Sequence, residues 1–273
     1  MKVSLIIAVY KDIQALEIIF DSLINQTYKN FEVIVAEDGN SKEMKEFIQK
    51  SKNIYDFKII HTTQEDKGVR KSHSQNNAIK VSNGKYLIFI DGDCPLYSTF
   101  IENHLLLSDK NGIVTGRRVN LGPKFSQKLR EKEITPYWLE KNFIRLYKKI
   151  KDDSLERHTE EGFYIKPNSF FHKILKLRKK KLALLGCNMS MYKDAMLDIN
   201  GFDEELGNSA YASDSDLEWR FEGLGYKIIS GRFMVNQFHL YHQRKDSDFD
   251  RKIKKIIELN KKYKLYKCKN GLF

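Results

Sequence analysis

Along the first 120 residues, short apolar runs alternate with stretches whose hydrophobic positions recur every three or four residues. The runs at 3–9, 31–36 and 57–61 read as strands, and Tyr86-Leu-Ile-Phe-Ile90 as a strand buried on both faces. Between them, 12–25 reads as a helix with Leu16, Ile19, Phe20 and Leu23 on one stripe. Ser41 is placed to cap a second helix that turns Met44, Phe47 and Ile48 inward. Gly68 opens a third over 69–81, and Asn83-Gly84 turns the chain into the next strand. A further strand is expected over 113–119. Strand and helix in alternation predict βαβ units around a mostly parallel sheet.

From about 123 to 181 the pattern turns helical and basic. Leu139, Phe143, Leu146, Tyr147 and Ile150 share one side of a helix over 138–150, with lysines opposite. A helix over 169–181 carries Phe170, Phe171, Ile174, Leu175 and Leu177 before the run Arg178-Lys-Lys-Lys181. Strand and helix signals resume over 182–191, 214–224 and 227–230. Beyond Phe249 a basic helix offers Ile253, Ile256 and Ile257 as contacts. The expected organisation is one α/β domain over 1–250 with a basic helical insert near 123–181, followed by a basic helical tail over 251–273.

Charge changes this picture more than length does. The net charge is +12, yet residues 124–181 hold 17 Lys/Arg against 8 Asp/Glu and residues 251–269 hold 9 against 1. The rest of the chain is mildly acidic. A positive insert and tail on an acidic body suit an anionic partner such as a membrane leaflet or a phosphorylated acceptor. The basic runs lack interleaved aromatics, which argues against nucleic acid. Three cysteines without metal spacing read as reduced thiols of a cytosolic protein. There is no 18-residue apolar run to span a membrane, and the first apolar run is short and wrongly flanked for a signal peptide.

The chemistry concentrates where the fourth strand stops on Asp91-Gly92-Asp93. Open α/β sheets keep ligands at the carboxyl edge of their strands. Gly92 is expected to let the backbone turn so that the two carboxylates converge. Two hard oxygen donors suit Mg2+ or Mn2+ carrying a phosphorylated substrate. Nucleotidyl transfer would want a glycine-rich phosphate loop after the first strand, and Ala8-Val-Tyr-Lys-Asp12 has none.

Taken in order, six segments resemble the family 2 glycosyltransferases. They are Ser4-Leu-Ile-Ile-Ala-Val-Tyr-Lys11, Val35-Ala-Glu-Asp-Gly-Asn40, Gly68-Val-Arg70 with Asn76, the strand ending at Asp93, Gly186-Cys-Asn-Met-Ser190 with Asn200-Gly-Phe-Asp-Glu204, and Ser213-Asp-Ser-Asp-Leu-Glu-Trp-Arg220. The last two resemble galactosyltransferase-type C-terminal regions. The resemblance implies a GT-A fold, a nucleotide-sugar donor, a divalent metal and transfer to a hydroxyl. Ala8 stands where the family usually has proline, Glu37 where it has aspartate and Ser213 where it has glutamate.

By that resemblance Ala8, Tyr10, Glu37, Asp38, Arg70, Asn76, Asp91, Gly92 and Asp93 would bind the nucleotide sugar. Asp93, Asp91, His242 and His239 would supply metal ligands, with Asp93 ahead of Asp91 and His242 ahead of His239. Asp214 would be the general base, and Gly186, Asn188, Ser213 and Asp216 would lie on the acceptor side. With no nucleophile set up for a double displacement, inversion is the expected outcome. The reading is an inverting glycosyltransferase moving a sugar, expected from a UDP donor, to a glycan or lipid-linked acceptor. It would work in the cytoplasm or peripherally on the inner membrane face. The absence of spanning helices and of a Q-x-x-R-W motif sets it apart from processive synthases. Nucleotidyl transfer and non-enzymatic nucleic-acid binding are the alternatives.

Overall fold

The computed structural model of the chain describes residues 1–177, 183–206, 212–243 and 251–273. In chain order its elements are β1 (Val3–Val9), α1 (Ile13–Ile24), β2 (Phe31–Glu37), α2 (Lys42–Ser51), β3 (Lys58–Thr62), α3 (Lys71–Val81), β4 (Tyr86–Asp91) and α4 (Phe100–Leu106). Then follow β5 (Gly112–Thr115), β6 (Val119–Asn120), α5 (Pro123–Arg130), α6 (Pro136–Asp153), α7 (Phe170–Leu177), β7 (Asn188–Tyr192) and α8 (Lys193–Asp198). The chain closes with α9 (Ala212–Gly223), β8 (Lys227–Ser230), β9 (Phe238–His239) and α10 (Arg251–Lys262).

Seven strands form one sheet in the order β3-β2-β1-β4-β7-β5-β8. All of its pairings are parallel except those of β7, which runs against both β4 and β5. The side-chain period of two divides the core between the faces. Leu5, Ile7, Val33, Val35, Ile88 and Ile90 meet Leu16, Ile19 and Phe20 of α1 and Met44 of α2. Ile6, Ile34, Leu87 and Phe89 meet Ala78 and Ile79 of α3, Met196 of α8, and Leu217 and Phe221 of α9. Asp12 caps α1 by accepting from the Ala15 amide at 3.0 Å, and Ser41 caps α2 by accepting from Met44 at 3.1 Å.

Two expectations change. The run 113–119 is two strands rather than one. After Thr115 the amide of Gly116 turns to the Asn188 carbonyl, and Val119 starts a separate two-stranded sheet in which β6 runs parallel to β9. The tail is only partly helical. After α10, whose Ile253 packs on Leu206, the amides of Cys268 and Leu272 bond the carbonyls of Ile199 and Asn200 and tie the chain back to the body. The insert packs on the body, where Leu129 of α5 and Leu139, Phe143 and Ile150 of α6 build a third core with Ala15 and Ile18 of α1 and with Phe238. Of the expected 169–181 helix, Arg178-Lys-Lys-Lys181 lies outside the described residues, as does Phe249. None of the described helices is long and apolar enough to cross a membrane, and all three cysteines are buried and unpaired by disulfides.

Candidate active site

Because β1, β2 and β4 run parallel, their carboxyl ends share one edge. The register pairs Val9 with Glu37 and Ala8 with Asp91, so the segments following them converge. They open on a cleft of about 610 Å3 lined by Ala8, Tyr10, Asp12, Asp38, Gly68, Val69, Lys71, Asp91, Gly92, Asp93, Arg130 and His242 among others. Its position is the carboxyl edge where such sheets hold nucleotides.

At one end, Asp38 accepts from the Arg70 amide at 2.7 Å and from Gln64 Nε2 at 2.6 Å. Glu37 behaves differently from its neighbour. It is 1% exposed, meets His61 Nε2 at 2.8 Å and accepts from the Ser41 amide at 2.9 Å. Burial works against its charge, but these two bonds prevail and hold the carboxyl below its ordinary range. Glu37 therefore braces the loop that presents Asp38. The Arg70 guanidinium reaches the Glu65 carbonyl. Asn76 is fully buried, with its amide nitrogen on the Phe202 carbonyl and on Glu204, each at 2.9 Å. It serves the packing of α3 against the 200–206 segment instead of a ligand.

The two carboxylates of the Asp91-Gly92-Asp93 turn have separate partners. Asp91 is bonded by Lys71 at the start of α3. Burial pulls the lysine's pKa down, yet the charges of Asp91 and Asp214 outweigh it and drive it up. Asp93 faces a histidine pair, with His239 Nε2 and His242 Nε2 each 3.4 Å from its Oδ2. Burial opposes its ionisation, but the His239 contact and the nearby imidazoles hold it well below the usual carboxylate range. Gly92 keeps an ordinary negative φ. Its lack of a side chain matters for clearance, since a Cβ there would lie 2.9 Å from the Ala8 carbonyl oxygen and from Val9 Cγ1.

Main-chain bonds fix the histidines beside Asp93. Leu96 and Gln237 form an antiparallel bridge, the Phe238 amide donates to Pro95 at 2.8 Å, and the Leu240 amide donates to Asp93 at 2.9 Å. On its other side β9 pairs with β6, with His239 opposite Asn120. One carboxylate oxygen and two imidazole nitrogens thus lie within 4.8 Å of one another, a donor set that fits a divalent first-row ion. A second grouping among the described residues, His158, Glu160 and Glu161, is less available, because Arg232 Nε bonds both Glu161 oxygens at 2.8 and 2.9 Å.

Asp214 sits in the first turn of α9, its Oδ1 only 2.2 Å from where a Cβ on Gly186 would be. Gly186 is thus the space Asp214 occupies. Asn188 and Asp216 are placed elsewhere. Asn188 is fully buried and donates to the Arg117 and Val235 carbonyls at 2.8 and 2.9 Å. Asp216 is 1% exposed and bridges Arg220 at 2.7 Å. The side chain of Ser213 lies outside the described residues. Lys71, Asp12 and Arg130 line the cleft without having been singled out from sequence. Arg130 comes from the basic insert and grips Asp12 with bonds of 3.0 and 2.7 Å. Its cationic run offered no signal separating it from its neighbours. Arg118, whose pKa burial lowers but the surrounding Cys187, Cys94, Asp91 and Asp93 raise, adds positive charge beneath the turn.

A mostly parallel sheet, a cleft carrying several carboxylates at its carboxyl edge and an acidic turn faced by two histidines together define an α/β protein of GT-A architecture. Residues 4–197 match the family model described as Glycosyl transferase family 2, and the chain belongs to that family of glycosyltransferases. This enzyme class replaces the nucleotidyl-transfer and nucleic-acid alternatives. An uncharacterized glycosyltransferase of Rickettsia bellii (strain RML369-C) is 34% identical over 113 residues, covering 41% of this chain and 16% of that protein. The UDP-Glc:alpha-D-GlcNAc-diphosphoundecaprenol beta-1,3-glucosyltransferase WfaP of Escherichia coli is 33% identical over 104 residues, 38% of this chain and 39% of that protein. The chain therefore spans well under half the length of these relatives. Among solved structures, the mannosyltransferase PcManGT from Pyrobaculum calidifontis in complex with GDP-Man and Mn2+ shares the fold at a TM-score of 0.57 and 16% identity, covering 89% of this chain and 57% of that one.

Proposed function

We propose that this chain is a metal-dependent, inverting glycosyltransferase that moves one sugar from a nucleotide sugar, a UDP-sugar by preference, to a hydroxyl of a surface-glycan or lipid-linked acceptor at the cytoplasmic face of a membrane. The observation that carries the proposal is the Asp93, His239 and His242 cluster opening onto the cleft at the ends of β1, β2 and β4. The UDP donor and lipid-linked acceptor are supported by the name of the Escherichia coli relative, and metal use by the Mn2+ of the mannosyltransferase complex.

In this reading Asp93, His239 and His242 hold the ion, which when bound neutralises charge on the leaving diphosphate. Two imidazoles among the donors favour Mn2+ over the oxygen-loving Mg2+. Asp38 accepts from the base or ribose, a task for which a carboxylate needs only its lone pairs. Tyr10 and Ala8 form the opposite wall. Lys71 neutralises Asp91 so that the cleft does not repel an anionic donor. Asp214, across Lys71 from Asp91, takes the acceptor proton, and Gly186 leaves room for it.

A screen of UDP-, GDP- and dTDP-sugars with Mn2+, reading released nucleotide, tests the proposal. Turnover of one UDP-sugar is expected, and Asp214→Asn should cut transfer by about a hundredfold or more while donor binding persists. Absence of turnover with every donor and divalent metal defeats the proposal. Full transfer by Asp214→Asn defeats the base assignment alone.

A further inference from the structure

Helix α7 is amphipathic the wrong way round for a water-facing helix. Its His172 is 2% exposed, with Nδ1 accepting from the Asn168 amide at 2.8 Å, whereas Phe170, Phe171 and Ile174 are 72, 66 and 41% exposed. The two phenyl rings pack on each other with centroids 5.9 Å apart. A cluster of large apolar side chains held out from a soluble fold marks a surface meant for something apolar.

Its surroundings say what that is. Lys173 lies exposed within the helix, and the chain continues through Lys176 into Arg178-Lys-Lys-Lys181 within an insert of 17 basic and 8 acidic residues. Exposed apolar side chains in a segment whose sequence is this basic match a bilayer whose surface is anionic and whose interior is not. A second copy of the chain would bring the same positive charge against itself. We propose that α7 docks this protein on an anionic lipid bilayer, with Phe170 and Phe171 entering the interface. The proposal deepens the membrane setting of the function given above and does not depend on the identity of the sugar.

Flotation of the full chain with vesicles of phosphatidylcholine alone, or mixed with phosphatidylglycerol, tests it. Binding is expected to the mixed vesicles only and to weaken with salt. Phe170→Ser with Phe171→Ser should reduce it by about a hundredfold or more, since each buried ring contributes about tenfold or more, with an unchanged circular dichroism spectrum. Failure of the wild type to float with mixed vesicles overturns the proposal, as does equal binding by the double variant. A wild-type dimer that the double variant dissolves, read by light scattering, would assign the patch to a second copy and overturn it too. Should the double variant misfold, Phe170→Trp keeps the test. A blue shift of its emission on adding mixed vesicles supports docking, and an unmoved spectrum overturns it. Donor hydrolysis in lipid-free buffer reads the catalytic proposal separately, so either can fall without the other.

Discussion

Asp38 and Asp91 reach the cleft at the ends of β2 and β4, strands held on either side of β1 by continuous parallel ladders, whereas Asp214 and the histidines arrive from the last quarter of the chain through isolated contacts. The first group is presented by secondary structure and stays put as long as the parallel half-sheet is intact. The second is presented by a few tertiary bonds, those of the Phe238 and Leu240 amides and the space left by Gly186. Under the proposed function, donor recognition is built into the framework, and the metal and acceptor chemistry is attached to it.

Asp93 belongs to both regions, and its loss tests whether they act together. Asp93→Asn should lower nucleotide release by about a thousandfold, the scale of several kcal/mol of lost charge stabilisation, with the melting temperature little changed. Activity within tenfold of wild type would break the comparison. The two histidines should separate next. His239 is 10% exposed and clamped in β9, while His242 is 50% exposed. His239→Ala is expected to weaken Mn2+ affinity roughly a hundredfold and His242→Ala roughly tenfold, as read by metal titration of nucleotide release. The reverse order would show that clamping is not what makes the ligand.

Gly186→Ala probes the attachment of Asp214 without touching the donor side. Its methyl group would collide with Oδ1 and push the carboxylate aside, so kcat should fall about tenfold at unchanged donor KM. An equal loss in donor affinity would tie Asp214 to the nucleotide end instead.

His104 lies in the framework beneath both regions, where α4 uses it to meet Ser190 at 2.7 Å and Asn188 at 3.1 Å on β7. Burial pushes its pKa from 6.5 down to about 3. Its folded pKa lies below the unfolded one, so the stability tied to its neutral form is complete above pH 6.5. That contribution is lost as pH falls toward 3, because only the unfolded chain then gains the proton. Below pH 6.5 the loss approaches about 1.4 kcal/mol per pH unit. His104→Gln should flatten the melting temperature between pH 7 and pH 5 at the cost of some stability throughout, measured by thermal denaturation. An unaltered pH slope would remove His104 as its source.

What could be read from sequence follows the same division. β1, β2 and β4, the cap Ser41 and the acidic turn are legible because hydrophobic period and capping chemistry are local. The histidine pair was found by resemblance, and which member ranks first depends on burial that only the fold sets. Lys71, Arg130 and Arg118 went unseen because one cation among 48 lysines and arginines carries no mark of its position. Asn76, Asn188 and Asp216 matched motifs and are buried in the framework, so a motif position can be retained for packing as readily as for ligand contact. The break at Thr115 was hidden for a related reason. Val119 resumes the apolar pattern after Gly116-Arg117-Arg118, and the carbonyl that turns the chain aside belongs to Asn188.

The bond from the Leu240 amide to the Asp93 carbonyl has a consequence for how such a site can change over generations. It is made of main chain, so the spacing between the acidic turn and its histidines depends on the length of the two segments 94–96 and 237–238. The side chains along them answer to the core in which Cys94, Leu96, Gln237 and Phe238 are buried. Substitutions along 94–96 and 237–238 should be tolerated only where they keep size and apolar or amide character. A single inserted residue in either segment would rotate the histidines out of reach at once. Variation at this site is therefore expected to proceed by substitution, with the length of these two segments held constant.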